Sequence, residues 1–154
     1  MKNISKFIGA GMLLIALSIP QSAISAGHSL KVLGWGAKSG PLKSFGVNSE
    51  AALRSAVAEI NSAGGVRMGD GSMAPMEVIG YEDSACKKDE AIAILRKTAS
   101  TTDAIVGMGT TCSGVCQAMF GVLQKNVEDT SDSGVQMPIL ADTCIRPGLA
   151  KISE

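Results

Sequence analysis

The sequence predicts an α/β domain in three layers, with a parallel four-stranded sheet covered by helices on both faces. Three observations carry that prediction. Short apolar runs such as "LKVLGW", "MEVIGYED" and "DAIVGMG" have the length of strands. Between them lie longer stretches whose apolar residues recur at helical spacing. The two kinds of segment alternate, which implies right-handed crossovers between parallel strands.

The first strand begins at Leu30 and ends in glycine. After "GAKSGP", Asn48 or Ser49 is expected to cap a helix running to about Ala63. Ala52, Leu53, Ala56, Val57 and Ile60 share one face of it, and Gly64 and Gly65 stop it. "VRMGDGSMAP" reads as a turn-rich connection. "MEVIGYED", from Met76, is the second strand. "KKDEAIAILRKTAST" is the second helix, with Ala91, Ile92, Leu95 and Ala99 as its buried stripe. Asp89 and Glu90 near its start, and Arg96 and Lys97 near its end, suit the helix dipole. "DAIVGMG" is the third strand. "SGVCQAMFGVLQKN" is the third helix, with Val115, Met119, Val122 and Leu123 on one side. A polar loop, "NVEDTSDSGVQ", leads to the fourth strand, "MPILADT", and then to "IRPGLAKISE". No internal repeat or low-complexity tract interrupts this order.

Residues 1–26 stand apart from the domain. Lys2 and Lys6 precede the apolar run Phe7 to Ile19, Pro20 ends it, and "QSAISA" supplies small residues before a cut. This is the pattern of a secretory signal peptide, and the run is short for a membrane span, which needs about 20 apolar residues. An uncleaved anchor is the alternative. Cleavage is expected after Ala26, which leaves residues 27–154 as one modest domain.

Losing Lys2 and Lys6 takes the chain from 14 basic and 14 acidic residues to 12 and 14, a formal charge of −2. That balance argues against nucleic acid as a partner, because binders of polyanions carry a basic footprint. Trp35, Phe45, Tyr81 and Phe120 are the aromatic residues of the domain, too few for a base-stacking surface. Cys86, Cys112, Cys116 and Cys144 enter an oxidising compartment, where disulfides form and persist. Four cysteines allow three pairings, which remain open at this point.

In an open α/β sheet the ligand site lies beyond the carboxyl ends of the strands, where the strand order reverses. With order 2-1-3-4 that point falls between strands one and three, at "GAKSGP" and "GTTCSG". The second loop fits several chemistries poorly. Gly107 and Gly109 match the start of G-x-G-x-x-G, but Cys112 stands in place of the third glycine, and no P-loop occurs. His28 is the sole histidine and there is no G-x-S-x-G elbow, so a serine hydrolase lacks its base. Zinc is unsupported without paired histidines or two C-x-x-C units. Cys112 at a helix start, with Cys116 one turn on, leaves an exported thiol-disulfide oxidoreductase as the rival function. The export context favours structural bridges instead. What fits best is an anion site: the N–H groups of Ser113 and Gly114 at a helix start, with hydroxyls from Thr110, Thr111 and Ser113, suit a carboxylate or phosphate. Ser113 acting only as a helix cap is the plainer alternative.

From Leu30 onward the chain resembles the N-terminal lobe of the periplasmic receptors for branched-chain amino acids, the leucine-binding type of ABC-transporter substrate-binding protein. "SGPLKSFG", "AVAEINSAGGV", "YEDSAC", "DEAIAILRK", "DAIVGMGTTCSG" and "PILADT" match in order and spacing, over almost all of residues 27–154. The resemblance implies one lobe of a type I periplasmic binding fold, a non-catalytic role without cofactor or metal, a small-molecule ligand such as an amino acid, an ABC permease as partner, and a periplasmic location. It implies a Cys86–Cys112 disulfide, and Cys116–Cys144 is expected beside it. It carries carboxylate binding onto Ser113, ligand contacts onto Ala141, Asp142 and Thr143, and an aromatic wall onto Phe45. Asp142 departs from the pattern, because many members have a small neutral residue there. An acid at that position can pair with a ligand ammonium or refuse a ligand that lacks one. Cys116 and Cys144 have no counterpart. The family's second lobe, of comparable size, is absent from these 154 residues.

Overall fold

The structure is a computed structural model that describes residues 28–126 and 128–151. The expected signal peptide, residues 1–26, and its cleavage point lie outside the described residues.

The elements follow in the order β1 (Leu30–Gly36), α1 (Lys43–Ser62), β2 (Val66–Arg67), β3 (Met73–Ala74), β4 (Met76–Asp83), α2 (Lys88–Thr101), β5 (Val106–Met108), α3 (Ser113–Phe120) and β6 (Ile139–Leu140), with a 3-10 turn at Leu149–Lys151. β1, β4, β5 and β6 form one sheet in the order β4-β1-β5-β6. All three pairings are parallel. This is the 2-1-3-4 order expected from the sequence.

Side chains of β1 alternate between two apolar layers, as the strand period of two requires. Leu33 and Trp35 pack with Ala91 and Leu95 of α2, with Val115 and Met119 of α3, and with Met137. Val32 joins Tyr81 of β4 with Leu53 and Val57 of α1. Thus α1 covers one face, and α2 with α3 covers the other. Trp35 is fully buried, and its Nε1–H donates to Met119 Sδ at 3.2 Å. A Cβ at Gly107 would collide with the Trp35 ring, and one at Gly109 with the Trp35 carbonyl. The two glycines that suggested half of a nucleotide fingerprint are therefore spaces for one indole.

Several boundaries differ from the sequence expectation. α1 starts at Lys43 rather than at Asn48 or Ser49. Gly46 explains the gap: read as a loop residue, it lies inside the helix against the Ala37 backbone, where no side chain fits. The covered face of α1 runs Gly46, Ser49, Leu53 and Val57, whereas Ala52 and Ala56 are exposed. In α2, Thr98 is buried in place of Ala99. α3 ends at Phe120, so Val122 and Leu123 pack on the core from outside the helix. The turn-rich connection folds into an antiparallel ribbon of β2 and β3. Asp70 Oδ1 braces its tip by accepting from Ser72 N–H and Oγ–H at 2.9 and 2.7 Å. The third and fourth strands are shorter than the apolar runs suggested.

Candidate functional site

The carboxyl ends of the strands are shaped by the start of α1, the β4–α2 loop, the β5–α3 loop and the segment after β6. Each is held by local chemistry. Gly40 turns the chain with φ 71°, and Lys43 N–H donates to its carbonyl at 3.2 Å. That places Leu42 and Phe45 at the rim, 37% and 51% exposed. In the β4–α2 loop, Ala85 and Cys86 take φ of 47° and 58°, a left-handed conformation that side-chain-bearing residues rarely adopt. Asp83 Oδ1 holds that loop by accepting N–H bonds from Lys38 and Ala85, both at 2.8 Å.

Disulfides fasten these pieces together. Cys86 is joined to Cys112, with Cα atoms 5.7 Å apart. Cys116 is joined to Cys144, with Cα atoms 6.4 Å apart. Both spans lie in the usual range. The first ties the β4–α2 loop to the start of α3, and the second ties α3 to the segment after β6. Cys112 and Cys116 belong to different bridges, so the redox couple required by a thiol oxidoreductase is not formed.

Ser113 does not cap α3. Cys112 occupies the cap position, in extended conformation and without a side-chain bond. Ser113 Oγ instead accepts N–H bonds from Ile145 and Arg146, each at 3.2 Å. Its acceptor capacity is taken up by the backbone, and its hydroxyl proton is left to donate. Thr143 has the opposite polarity. Its Oγ1 lies 3.2 Å from the Thr111 carbonyl and 3.3 Å from that of Thr110. Carbonyls only accept, so the Thr143 proton points inward and lone pairs remain. Thr110 is buried, and Thr111 Oγ1 accepts from Ala37 N–H at 3.1 Å, so both hydroxyls brace the loop. Val115 and Cys116 N–H return to the Cys112 carbonyl at 2.9 and 3.0 Å. The N–H groups of Ser113 and Gly114 are the helix-start donors left over.

Leu42, Phe45, Thr111, Cys112, Ser113, Thr143 and Ile145 line a hollow of about 380 Å³. It brings together Phe45, Ser113 and Thr143. Ala141 lies instead along a separate hollow of about 430 Å³, beside Phe120, Leu123 and Leu149. Asp142 sits behind Thr143: its Oδ1 accepts Thr143 N–H at 2.7 Å. Asp142 Oδ2 and Tyr81 Oη are buried without a hydrogen-bond partner among the described residues. The Tyr81 phenol is pushed up to about 12, by burial first and by the negative charge of Asp142 second, while the nearby Ser49 hydroxyl pulls the other way. On the far side, Lys38 pairs with Glu50 and stands 5.6 Å over the Tyr81 ring. Hydrogen bonding from Lys38, then from Arg54, holds Glu50 below the usual carboxylate range.

Sequence reasoning missed Leu42 and Ile145. The leucine of "SGPL" was a visible signal, an apolar residue inside a turn. Ile145, 88% exposed, carried none, because nothing local places it beside Ser113. Among the described residues no helix is long and apolar enough to cross a membrane, and no group of three or more His, Cys, Asp or Glu is arranged to hold a metal ion.

Solved structures share this architecture. A crystal structure of a branched-chain amino acid ABC transporter protein from Rhodospirillum rubrum matches with TM-score 0.66 and 25% identity, over 81% of this chain and 32% of that one. The branched-chain amino acid transporter substrate-binding protein LivJ of Streptococcus pneumoniae, crystallised with isoleucine, matches with TM-score 0.61 and 23% identity, over 80% of this chain and 31% of that one. A type 1 periplasmic binding protein of Bordetella pertussis matches with TM-score 0.52 and 25% identity, over 60% of this chain and 24% of that one. No protein-family model matches the chain, and no curated protein does. The chain spans about a third or less of the length of these solved proteins. It has the fold of one lobe of a type I periplasmic binding protein.

Proposed function

We propose that this chain is a ligand-binding lobe of an extracytoplasmic solute receptor serving an ABC importer, and that it takes an amino acid or a closely related small carboxylate or amide. The observation that carries the reading is the opposed polarity of two hydroxyls on one hollow. Ser113 and the free N–H groups at the start of α3 are donors, suited to a carboxylate. Thr143 is an acceptor, suited to an ammonium. Phe45, Leu42 and Ile145 supply an apolar wall between them and the solvent, as small-molecule sites commonly do. A zwitterion with an aliphatic side chain fits that arrangement. Ala141 takes no part in it. Residues 1–26 are the export signal, residues 27–154 are the lobe, and the permease is the macromolecular partner. A second lobe closing over the hollow would take the ligand out of water on its other side.

The test is titration of residues 27–154 with leucine, isoleucine, valine and small amides, followed by amide shifts in a nuclear magnetic resonance spectrum. Weak binding is expected, with shifts centred on Ser113, Gly114 and Thr143. Shifts confined to other parts of the chain would refute the placement.

A further inference from the structure

The cleft end of the sheet holds a carboxylate, Asp142, that no cation pairs with among the described residues. The ion pairs among the described residues are Lys31–Asp103, Lys38–Glu50 and Arg54–Glu50. Asp142 is in none of them. One of its oxygens, Oδ1, is taken by the backbone N–H of Thr143 at 2.7 Å, with Thr143 Oγ1 3.2 Å away. The other, Oδ2, is buried and unpartnered, as is the hydroxyl of Tyr81. Tyr81 is itself only 8% exposed. A carboxylate withdrawn from water without a partner is unfavourable unless a positive charge comes to it. Lys38 is held by Glu50, the Arg146 guanidinium is bonded to Gln117, and Lys88, whose Cε stands 3.7 Å from a Cβ placed on Gly114, forms no ion pair with Asp142. Thr143, whose N–H is held by Asp142 Oδ1, lines the hollow, and Asp142 itself does not.

We propose that Asp142 is a positioning and specificity-determining residue that makes this hollow select solutes with a cationic group, acting through Thr143 and through its charge rather than by contact. It fixes the Thr143 backbone by the N–H bond to Oδ1. It also lends negative potential to the Thr143 lone pairs that face the ligand. Amines and zwitterions are then favoured, and carboxylates lacking an amine are refused. The idea rests on the hollow being the solute site, and adds a requirement of charge to it.

The experiment compares three probes of one carbon skeleton: leucine, leucinamide and 4-methylvalerate, which are zwitterion, cation and anion. Each is titrated against residues 27–154 carrying Asp142 or the Asp142→Asn change, with the amide shifts of Ser113 and Thr143 as readout. The wild-type chain should bind leucinamide and leucine above 4-methylvalerate. In Asp142→Asn the ratio of leucinamide to 4-methylvalerate affinity should fall by about tenfold or more. An unchanged ratio overturns the proposal and leaves the solute site standing, whereas no shift with any probe overturns both. A second readout needs no ligand. The chain has a single tyrosine, so the phenol titration reports on Tyr81 alone. Removing the Asp142 charge should lower the pH at which it ionises. A titration curve unmoved by Asp142→Asn means that the charge is not directed inward as argued, and sinks the proposal.

Discussion

Ser113→Ala separates the two tasks assigned to that hydroxyl. The change deletes one oxygen that accepts the N–H groups of Ile145 and Arg146, both at 3.2 Å. A neutral hydrogen bond contributes about 0.5–1.5 kcal/mol net. Ile145 and Arg146 are exposed, so water replaces the lost acceptor, and the pair should be worth about 1 kcal/mol in all. The Cys116–Cys144 bridge still anchors the segment, and the global unfolding midpoint should therefore move little. Amide hydrogen exchange is the assay: the Ile145 and Arg146 N–H groups should exchange about fivefold faster, the factor that 1 kcal/mol gives. In a two-lobed version, carboxylate binding should also weaken by about 1.5–3 kcal/mol, the scale of a hydrogen bond to a charged group. Lys43→Ala, in the first turn of α1 and outside the hollow, should leave binding unchanged. Unaltered exchange at both amides would show that Ser113 does not hold this segment. Equal binding losses in Ser113→Ala and Lys43→Ala would place the ligand elsewhere.

Four further outcomes are expected. Gly107→Ala forces a methyl into the Trp35 ring and should destabilise the domain by about 1–3 kcal/mol in urea unfolding, whereas Gly114→Ala, which meets only Lys88 Cε at 3.7 Å, should cost nothing. Unreduced peptide mapping should yield Cys86–Cys112 and Cys116–Cys144, and replacing either pair by serine should cost about 3.5 kcal/mol on the loop-entropy scale for these separations of 26 and 28 residues. Because burial favours the neutral phenol and lifts Tyr81 from 10.0 to about 12, its contribution to stability is complete below pH 10 and is lost as pH rises towards 12; Tyr81→Phe should flatten the stability profile in that window. Residues 27–154 alone should bind leucine weakly, and tight saturable binding by a clean monomer in sedimentation would contradict the half-site reading.

The sheet order was legible because it depends on alternation, which survives errors in individual boundaries. Four short apolar runs and three helical stripes allow few parallel topologies once crossovers are right-handed. The boundaries were not legible where tertiary contact overrides local preference. Gly46 looks like a loop residue in isolation, yet the approach of Ala37 makes glycine the residue that lets α1 start early. Thr98 is polar, but its position on α2 faces the core, while the apolar Ala99 faces water. Gly107 on β5 and Gly109 just after it show the same logic: their meaning lies in Trp35, which is distant in sequence.

The site was legible in outline for a different reason. Switch-point geometry names the loops, and a helix start names the donors, so "GTTCSG" is located by the sequence alone. What sequence could not supply is the direction of each hydroxyl proton. Serine and threonine are donors and acceptors alike, and their role is fixed only by the partners that occupy the other capacity. Ser113 is made a donor by two backbone N–H groups from residues 145 and 146, and Thr143 is made an acceptor by two carbonyls from residues 110 and 111. Each hydroxyl is thus polarised by the other's loop, and Cys116–Cys144 holds the two loops in that relation. That bridge lies beside the pair of hydroxyls proposed to read the two ends of a zwitterion. Loss of that bridge should therefore loosen both contacts together, whereas loss of either hydroxyl should affect one end of the ligand.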